Sequence, residues 1–82
     1  MRVKKYLLDD MLEHFGDYAS VHPDSDNEYV RIFARVGINQ KFYLWVMQYG
    51  DGIELVSPTE VRANFLAEVK KMLGAYPEFV QN

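Results

Sequence analysis

The strongest constraint on the fold of this chain is the segment 29–36, in which apolar residues occupy every second position. Successive side chains of a β-strand point to opposite faces, so this period of two predicts a strand with one buried and one exposed face. The buried side chains would be those of Val30, Ile32, Ala34 and Val36, and the exposed ones those of Tyr29, Arg31, Phe33 and Arg35.

A second strand is predicted just before it. Residues 17–22 also alternate between polar and apolar types, and the intervening residues 23–27 favour a turn. Two strands joined by a short polar loop indicate a β-hairpin. The acidic residues Asp24, Asp26 and Glu28 alternate as calcium ligands sometimes do, but the central glycine and the distant bidentate glutamate of an EF-hand are missing. We therefore interpret them as turn residues.

Helical spacing replaces strand alternation on both sides of the hairpin. Apolar residues at helical intervals over residues 3–15 predict an amphipathic helix that ends at Gly16. A second, core-facing helix is predicted after Gly37, and Gly50-Asp51-Gly52 ends it because these residues tolerate positive φ. Its apolar stripe consists of Phe42, Trp45, Val46 and Tyr49.

The last third of the chain predicts a short strand, residues 53–56, followed by a third helix. Ser57, Pro58 and Glu60 form the pattern of a capping box, with Ser57 as the N-cap and Pro58 at the first helical position. This helix would stop before a frayed tail, residues 77–82. Its apolar stripe consists of Val61, Phe65, Val69, Met72 and Tyr76.

These elements place the chain in the α+β class, as a single domain over residues 1–82. The predicted order, α-β-β-α-β-α, matches a ferredoxin-like unit that lacks its first strand, with the helices packed on one face of a small sheet. The missing strand would lie at the centre of the sheet. Two alternatives follow: strand 29–36 pairs directly and in parallel with strand 53–56, which we favour, or another chain fills the gap.

Composition excludes several functions. The sequence contains no cysteine, which rules out disulfides, thiolate nucleophiles and cysteine-ligated zinc, and suits a cytoplasmic protein. Its net charge of -3 and dispersed basic residues argue against direct binding of duplex DNA, which depends on clustered Lys and Arg. No apolar run approaches the roughly 20 residues that cross a bilayer. We therefore expect neither a membrane segment nor a secretion signal.

No catalytic or metal-binding pattern is evident. His14 and His22 are the only histidines, and neither has further ligands at a recognisable spacing. We interpret His14 as a surface residue near a helix end and His22 as part of a polar turn. No serine lies in a nucleophile-elbow pattern. We expect no cofactor and no metal, and a small enzyme of the ferredoxin-like type is only our third hypothesis.

One surface, formed by Tyr29, Arg31, Phe33 and Arg35, is a candidate functional site. These residues would share the exposed face of strand 29–36. Arginines interleaved with aromatic residues can stack on bases or hold an anionic ligand. The alternative, which we favour, is that a partner chain or another domain covers this face, with the arginine stems packed along the rings.

The sequence from residue 42 onward resembles a known family. Residues 42–62 read FYLWVMQYGDGIELVSPTEVR, and residues 72–76 read MLGAY. This succession contains a helix, a glycine, a strand that ends in a small residue and proline, an acidic-hydrophobic-arginine helix start and a final tyrosine. It resembles the C-terminal extension, called WCX, of WYL-domain transcription regulators. The resemblance is close over residues 42–76 and loose over the rest of the chain.

The resemblance implies a role without catalysis. Such regulators carry an N-terminal winged helix that binds DNA, a WYL domain associated with sensing a ligand or nucleic acid, and this extension, which is implicated in dimerisation and signal coupling. The implied partner is a second copy, in a homodimer, or the other domains of a full-length regulator. The expected absence of the strand that opens the extension is a departure from the family pattern. The second hypothesis is that the arginine and aromatic face senses a small anionic ligand or single-stranded nucleic acid.

Overall fold

Three helices and a four-stranded sheet form the fold. The computed structural model describes residues 1–79. The strands are β1 (Arg2–Lys4), β2 (Ala19–Pro23), β3 (Tyr29–Ala34) and β4 (Ile53–Glu54), and the helices are α1 (Leu8–Phe15), α2 (Gln40–Met47) and α3 (Thr59–Leu73). The order β-α-β-β-α-β-α confirms the predicted α+β class and the ferredoxin-like arrangement.

The strands lie in the order β2-β3-β1-β4, and neighbouring strands are antiparallel. β2 and β3 form the predicted hairpin, with Val21 opposite Ile32. β1 lies between β3 and β4, where Val3 is opposite both Val30 and Ile53. The central strand of a ferredoxin-like sheet is therefore present.

Two predictions about the sheet are wrong. The first strand is not missing, and strands 29–36 and 53–56 do not pair directly, because β1 lies between them. β1 was not predicted because it has only three residues and one apolar side chain, that of Val3. The spacing from Val3 to the next apolar residues also fits a helix. A 3₁₀ turn, Lys5–Leu7, separates β1 from α1, so the first helix begins later than predicted.

All three helices pack on one face of the sheet. β3 directs Val30 and Ile32 into the core and Tyr29, Arg31 and Phe33 to the opposite face, as predicted. Burial of each large apolar side chain contributes about 1.5–3 kcal/mol, so this core holds the elements together. The remaining buried residues are Val3, Leu7, Met11, Phe15, Tyr43, Val46, Ile53 and Leu55.

Glycine and asparagine define the ends of α1 and α2. Gly16 ends α1 with φ 56°, and Gly50 follows α2 with φ 57°, so both predicted stops are confirmed. α2 begins after its N-cap, Asn39, whose Oδ1 accepts a hydrogen bond from the Phe42 N–H at 3.0 Å. This bond satisfies one of the backbone donors that a helix start leaves without a partner.

α3 begins one residue later than predicted. Pro58 has extended backbone angles, φ -65° and ψ 158°, and is the N-cap rather than the first helical residue. No side chain of the described residues accepts a capping hydrogen bond at this end, so the capping box assigned to Ser57 and Glu60 is wrong. The helix ends at Leu73, just before Gly74.

The predicted frayed tail, residues 77–82, lies partly outside the described residues. Pro77–Phe79 form a short 3₁₀ turn, and the fraying stays a prediction. Across residues 1–79, no helix is both long enough and apolar enough to span a membrane.

Candidate functional site

The predicted site residues divide between two surfaces. Tyr29, Arg31 and Phe33 share the open face of the sheet, where Tyr29 and Arg31 are half-buried and Phe33 is exposed. Arg35 is exposed and lies beyond the end of β3, where its backbone N–H donates to the Tyr18 carbonyl at 3.1 Å. Arg35 lines a depression beside Phe33 and also a larger cleft beside α2.

A nearly buried carboxylate organises the charges of the open face. The side chain of Asp24 is only 2% exposed, and its oxygens accept hydrogen bonds from Arg31 Nε at 2.6 Å and Arg2 Nε at 3.2 Å. The backbone N–H of Asp26 donates a third bond at 3.0 Å. The bond from Arg31, followed by those from Asp26 and Arg2, lowers the pKa of Asp24 from 3.8 to about 2. Asp24 thus fixes the hairpin turn to the sheet as an ionised group.

Arg2 extends these ion pairs across the sheet. Its guanidinium carbon lies 3.7 Å from the ring centroid of Tyr29, and two of its nitrogens lie 3.7 Å from oxygens of Asp26 and Glu54. The register brings these groups together, because Arg2 is opposite Arg31 on one side and Glu54 on the other. Both arginines are already matched by carboxylates, so an anionic ligand on this face would compete with an internal partner.

An arginine of α3 connects that helix to the edge of the sheet. Arg62 Nη1 donates to Glu54 Oε2 at 2.7 Å and to the Leu55 carbonyl at 3.1 Å. The hydrogen bond from Arg62 lowers the pKa of Glu54 below its usual value. On the same half of the helix, Val61 and Phe65 pack against the core. These contacts hold the N-terminal half of α3 in place.

The rest of α3 leaves apolar side chains exposed. None of its 15 residues is buried. Leu66 is 53% exposed, Met72 49%, and Tyr76, just beyond the helix, 56%. Only the first residues of the predicted stripe, Val61 and Phe65, reach the core. Met72 and Tyr76 continue the predicted stripe, whereas Leu66 lies about 120° from Met72 around the helix. An apolar side of a helix normally packs against another surface, so Met72 and Tyr76 form a candidate contact.

A cleft between α1, α2 and the end of β3 was not predicted. Its volume is about 470 Å³, and among the described residues its lining includes two cations, Arg35 and Lys41, and no carboxylate. Sequence patterns could not indicate it, because three separate segments meet there only in the folded chain. The other lining residues are His14, Phe15, Tyr18, Val36, Gly37, Asn39, Phe42 and Trp45.

Trp45 is the centre of an aromatic cluster that forms one wall of this cleft. His14 stacks on it, with ring centroids 4.3 Å and planes 18° apart. Tyr49 meets it edge-on at 5.2 Å, and Phe42 lies at 6.2 Å. Of the stripe that was predicted as core, Val46 is fully buried, whereas Phe42, Trp45 and Tyr49 are only half-buried. Tyr43 of the same helix, which was not predicted, also enters the core.

The two histidines occupy surface positions. His14 is exposed near the end of α1, as predicted, and His22 is exposed on β2, where Nε2 lies 3.2 Å from Ser20 Oγ. Asp24 and Asp26 accept backbone hydrogen bonds within the hairpin turn, which confirms their interpretation as turn residues. Across residues 1–79, no group of three or more acidic or histidine side chains is arranged to hold a metal ion.

Comparison with protein-family models identifies the family to which the chain belongs. The model of the WCX domain matches residues 1–73, a range that includes β1, so the expected departure from the family pattern is not found. Searches among curated proteins and among solved structures gave no match. WCX is an accessory domain of transcription regulators and not a catalytic family. This chain belongs to the WCX domain family, the C-terminal extension of WYL-type transcription regulators.

Proposed function

We propose that this WCX domain is a dimerisation and signal-coupling module of a WYL-type regulator and has no catalytic activity of its own. The observation that carries the proposal is the exposed end of the apolar stripe of α3, Met72 and Tyr76, which continues beyond the core-facing Val61 and Phe65. Exposed apolar residues that lie together on a helix are typical of a contact with another protein surface.

The shape of the domain supports this proposal. Its radius of gyration is 13.7 Å, whereas a compact domain of this length has a radius of about 12 Å. Its longest axis is 41 Å and its shortest is 21 Å. An elongated domain buries less of its own apolar surface, and a partner that covers α3 would supply the missing burial.

A second copy of the domain is the partner that the chemistry of α3 favours. A two-fold contact brings the same surface of both copies together, so residues at its centre must not repel each other. Met72 and Tyr76 are uncharged, and nearby Lys71 lies 3.7 Å from Glu68 of the same helix. Two α3 helices can therefore pack through their apolar sides without opposing like charges at the centre.

The signal-coupling part of the proposal depends on how α3 is attached. Its firm contacts are near its start, where Arg62 donates to Glu54 and Leu55 and where Val61 and Phe65 meet the core. Tilting a helix relative to the sheet costs less free energy when the helix is held mainly at one end than when it is buried along its length. Dimerisation through α3 would thereby couple the relative orientation of the two WCX domains to conformational changes in the other domains of the two regulators.

The open sheet face offers less support for the alternative function, ligand sensing by Tyr29, Arg31, Phe33 and Arg35. Arg31 Nε is 2.6 Å from an oxygen of Asp24, and Arg35 lies off the strand. Sensing by that face stays a prediction. Its direct test is whether Arg31→Ala abolishes salt-sensitive binding of an anionic probe without unfolding the domain.

Light scattering over a concentration series tests dimerisation. We expect a concentration-dependent dimer, and we expect Met72→Asp to raise its dissociation constant about tenfold or more, because a buried unpaired charge opposes association. Ala63→Asp is the matched control: it adds the same charge at an exposed position on a different side of α3 and should leave the dimer intact. Circular dichroism must show that both variants are folded.

A strict monomer at every concentration would overturn self-association by this domain. The exposed side of α3 would then be expected to contact the other domains of the same regulator. Equal effects of Met72→Asp and Ala63→Asp would place the contact elsewhere, with the unpaired outer edge of β2 as the next surface to test.

A further inference from the structure

The cleft beside Trp45 takes no part in the proposed dimer, and its chemistry points to a ligand. We infer that it binds a small planar anion, meaning an aromatic ring that carries a phosphate or carboxylate group. Three observations carry this inference: the charge of the cleft, its aromatic wall and its size.

Charge is the first observation. Among residues 1–79, ion pairs within 4.0 Å involve five of the nine Lys and Arg side chains. The four without such a pair are Lys5, Arg35, Lys41 and Lys70. Two of these four, Arg35 and Lys41, line this one cleft, and no Asp or Glu lines it. An anion would therefore meet two cations that internal carboxylates do not already neutralise, although the chain as a whole carries a net charge of -3.

A carboxylate near the cleft does not change this conclusion. Asp17 and Arg35 both line the smaller depression on the other side of Tyr18. The two side chains form no ion pair within 4.0 Å among residues 1–79, and Asp17 is absent from the lining of the cleft itself. Arg35 thus lines both surfaces and pairs with no carboxylate among residues 1–79.

The aromatic wall is the second observation. Trp45 and His14 form a stacked pair with centroids 4.3 Å apart, and Tyr18, at the rim of the cleft, is 71% exposed. Exposed flat rings next to cations favour planar ligands, which stack on the rings while their charged group binds the cations. A purely aliphatic anion would bind the cations but would not stack on the rings.

Size and polar groups are the third observation. The cleft volume of about 470 Å³ lies within the range of roughly 300–1,000 Å³ that is typical of small-molecule sites. Asn39 uses its Oδ1 to cap α2, so its Nδ2 group can donate a hydrogen bond into the cleft. A nucleoside monophosphate or an aromatic carboxylate matches this combination of ring, charge and acceptor atoms.

Trp45 makes the inference directly testable, because it is the only tryptophan of the chain. We would titrate AMP and benzoate into the protein while following tryptophan fluorescence, and repeat the titration by calorimetry. We expect a saturable change with at least one of these probes, weaker at high salt. Adenosine, which lacks the charge, and inorganic phosphate, which lacks the ring, should each bind about tenfold more weakly than AMP or not at all.

Paired variants separate the cleft from general electrostatics. Arg35→Ala and Lys41→Ala should each weaken binding about tenfold or more, whereas Lys5→Ala and Lys70→Ala, which remove unpaired charges elsewhere, should change it less than about twofold. Absence of a saturable response to both AMP and benzoate would overturn the inference. Equal losses in the cleft and control variants would also overturn it, as would saturable binding of adenosine that is as tight as that of AMP.

Discussion

Asp24 lies in a loop, yet its side chain is only 2% exposed. Two arginines and a backbone N–H surround it, and one of these arginines, Arg2, is 22 residues away in the sequence. The sequence predicted the turn correctly, because Asp and Asn favour turns whatever lies nearby. It could not predict the ion pairs, because those depend on β1 lying beside β3.

The lowered pKa of Asp24 gives a prediction for stability against pH. Because the pKa of Asp24 is lowered from 3.8, its ordinary value, to about 2 in the folded state, the ionised form stabilises the fold. That contribution is complete above about pH 4 and disappears as the pH falls towards about 2. Glu54, whose pKa is also lowered, adds to the same loss. We expect Asp24→Asn to be less stable at neutral pH and to lose less stability on acidification.

Urea unfolding of both proteins at several pH values measures this difference. Asp17→Asn is the control, because Asp17 is exposed and forms no ion pair among residues 1–79. That variant should follow the wild type at every pH. The explanation would be wrong if Asp24→Asn lost stability on acidification as steeply as the wild type.

Individual elements differ in how clearly the sequence indicates them. β3 and the helices were predicted because each repeats its period several times, whereas β1 has room for only one apolar residue, Val3. The boundaries of α3 shifted because Pro58 is extended. The cleft beside Trp45 was missed for a different reason: its wall was predicted as core, and no local pattern shows which side of α2 stays open.

β1 provides the prediction at the scale of elements. Val3 is fully buried between Val30 and Ile53, so Val3→Asp would place an unpaired charge in the centre of the sheet. The cost of such a charge is comparable to the whole stability of a small domain, about 5–10 kcal/mol. We expect this variant to be unfolded by circular dichroism, whereas Lys5→Asp, an exposed change two residues away, should fold. A folded Val3→Asp protein would mean that β1 is not needed.

The whole molecule combines a firmly packed sheet with a helix that is held mainly at one end. The sheet and the helices α1 and α2 share a continuous buried core. α3 contributes no fully buried residue to that core, and its last turns carry exposed Met72. We therefore expect stability to be unevenly distributed, with the last turns of α3 less stable than the sheet.

Native-state hydrogen exchange tests this distribution and the dimer together. At low protein concentration, amides of residues 69–73 should exchange about 100-fold faster than those of β1 and β3, because a helix end with few buried contacts opens without global unfolding. Raising the concentration should slow their exchange if α3 packs against a second copy. Met72→Asp should remove that slowing, and Ala63→Asp should retain it. Equal exchange in α3 and the sheet would instead mean that α3 is as firmly held as the core, and signal coupling through its movement would have no physical basis.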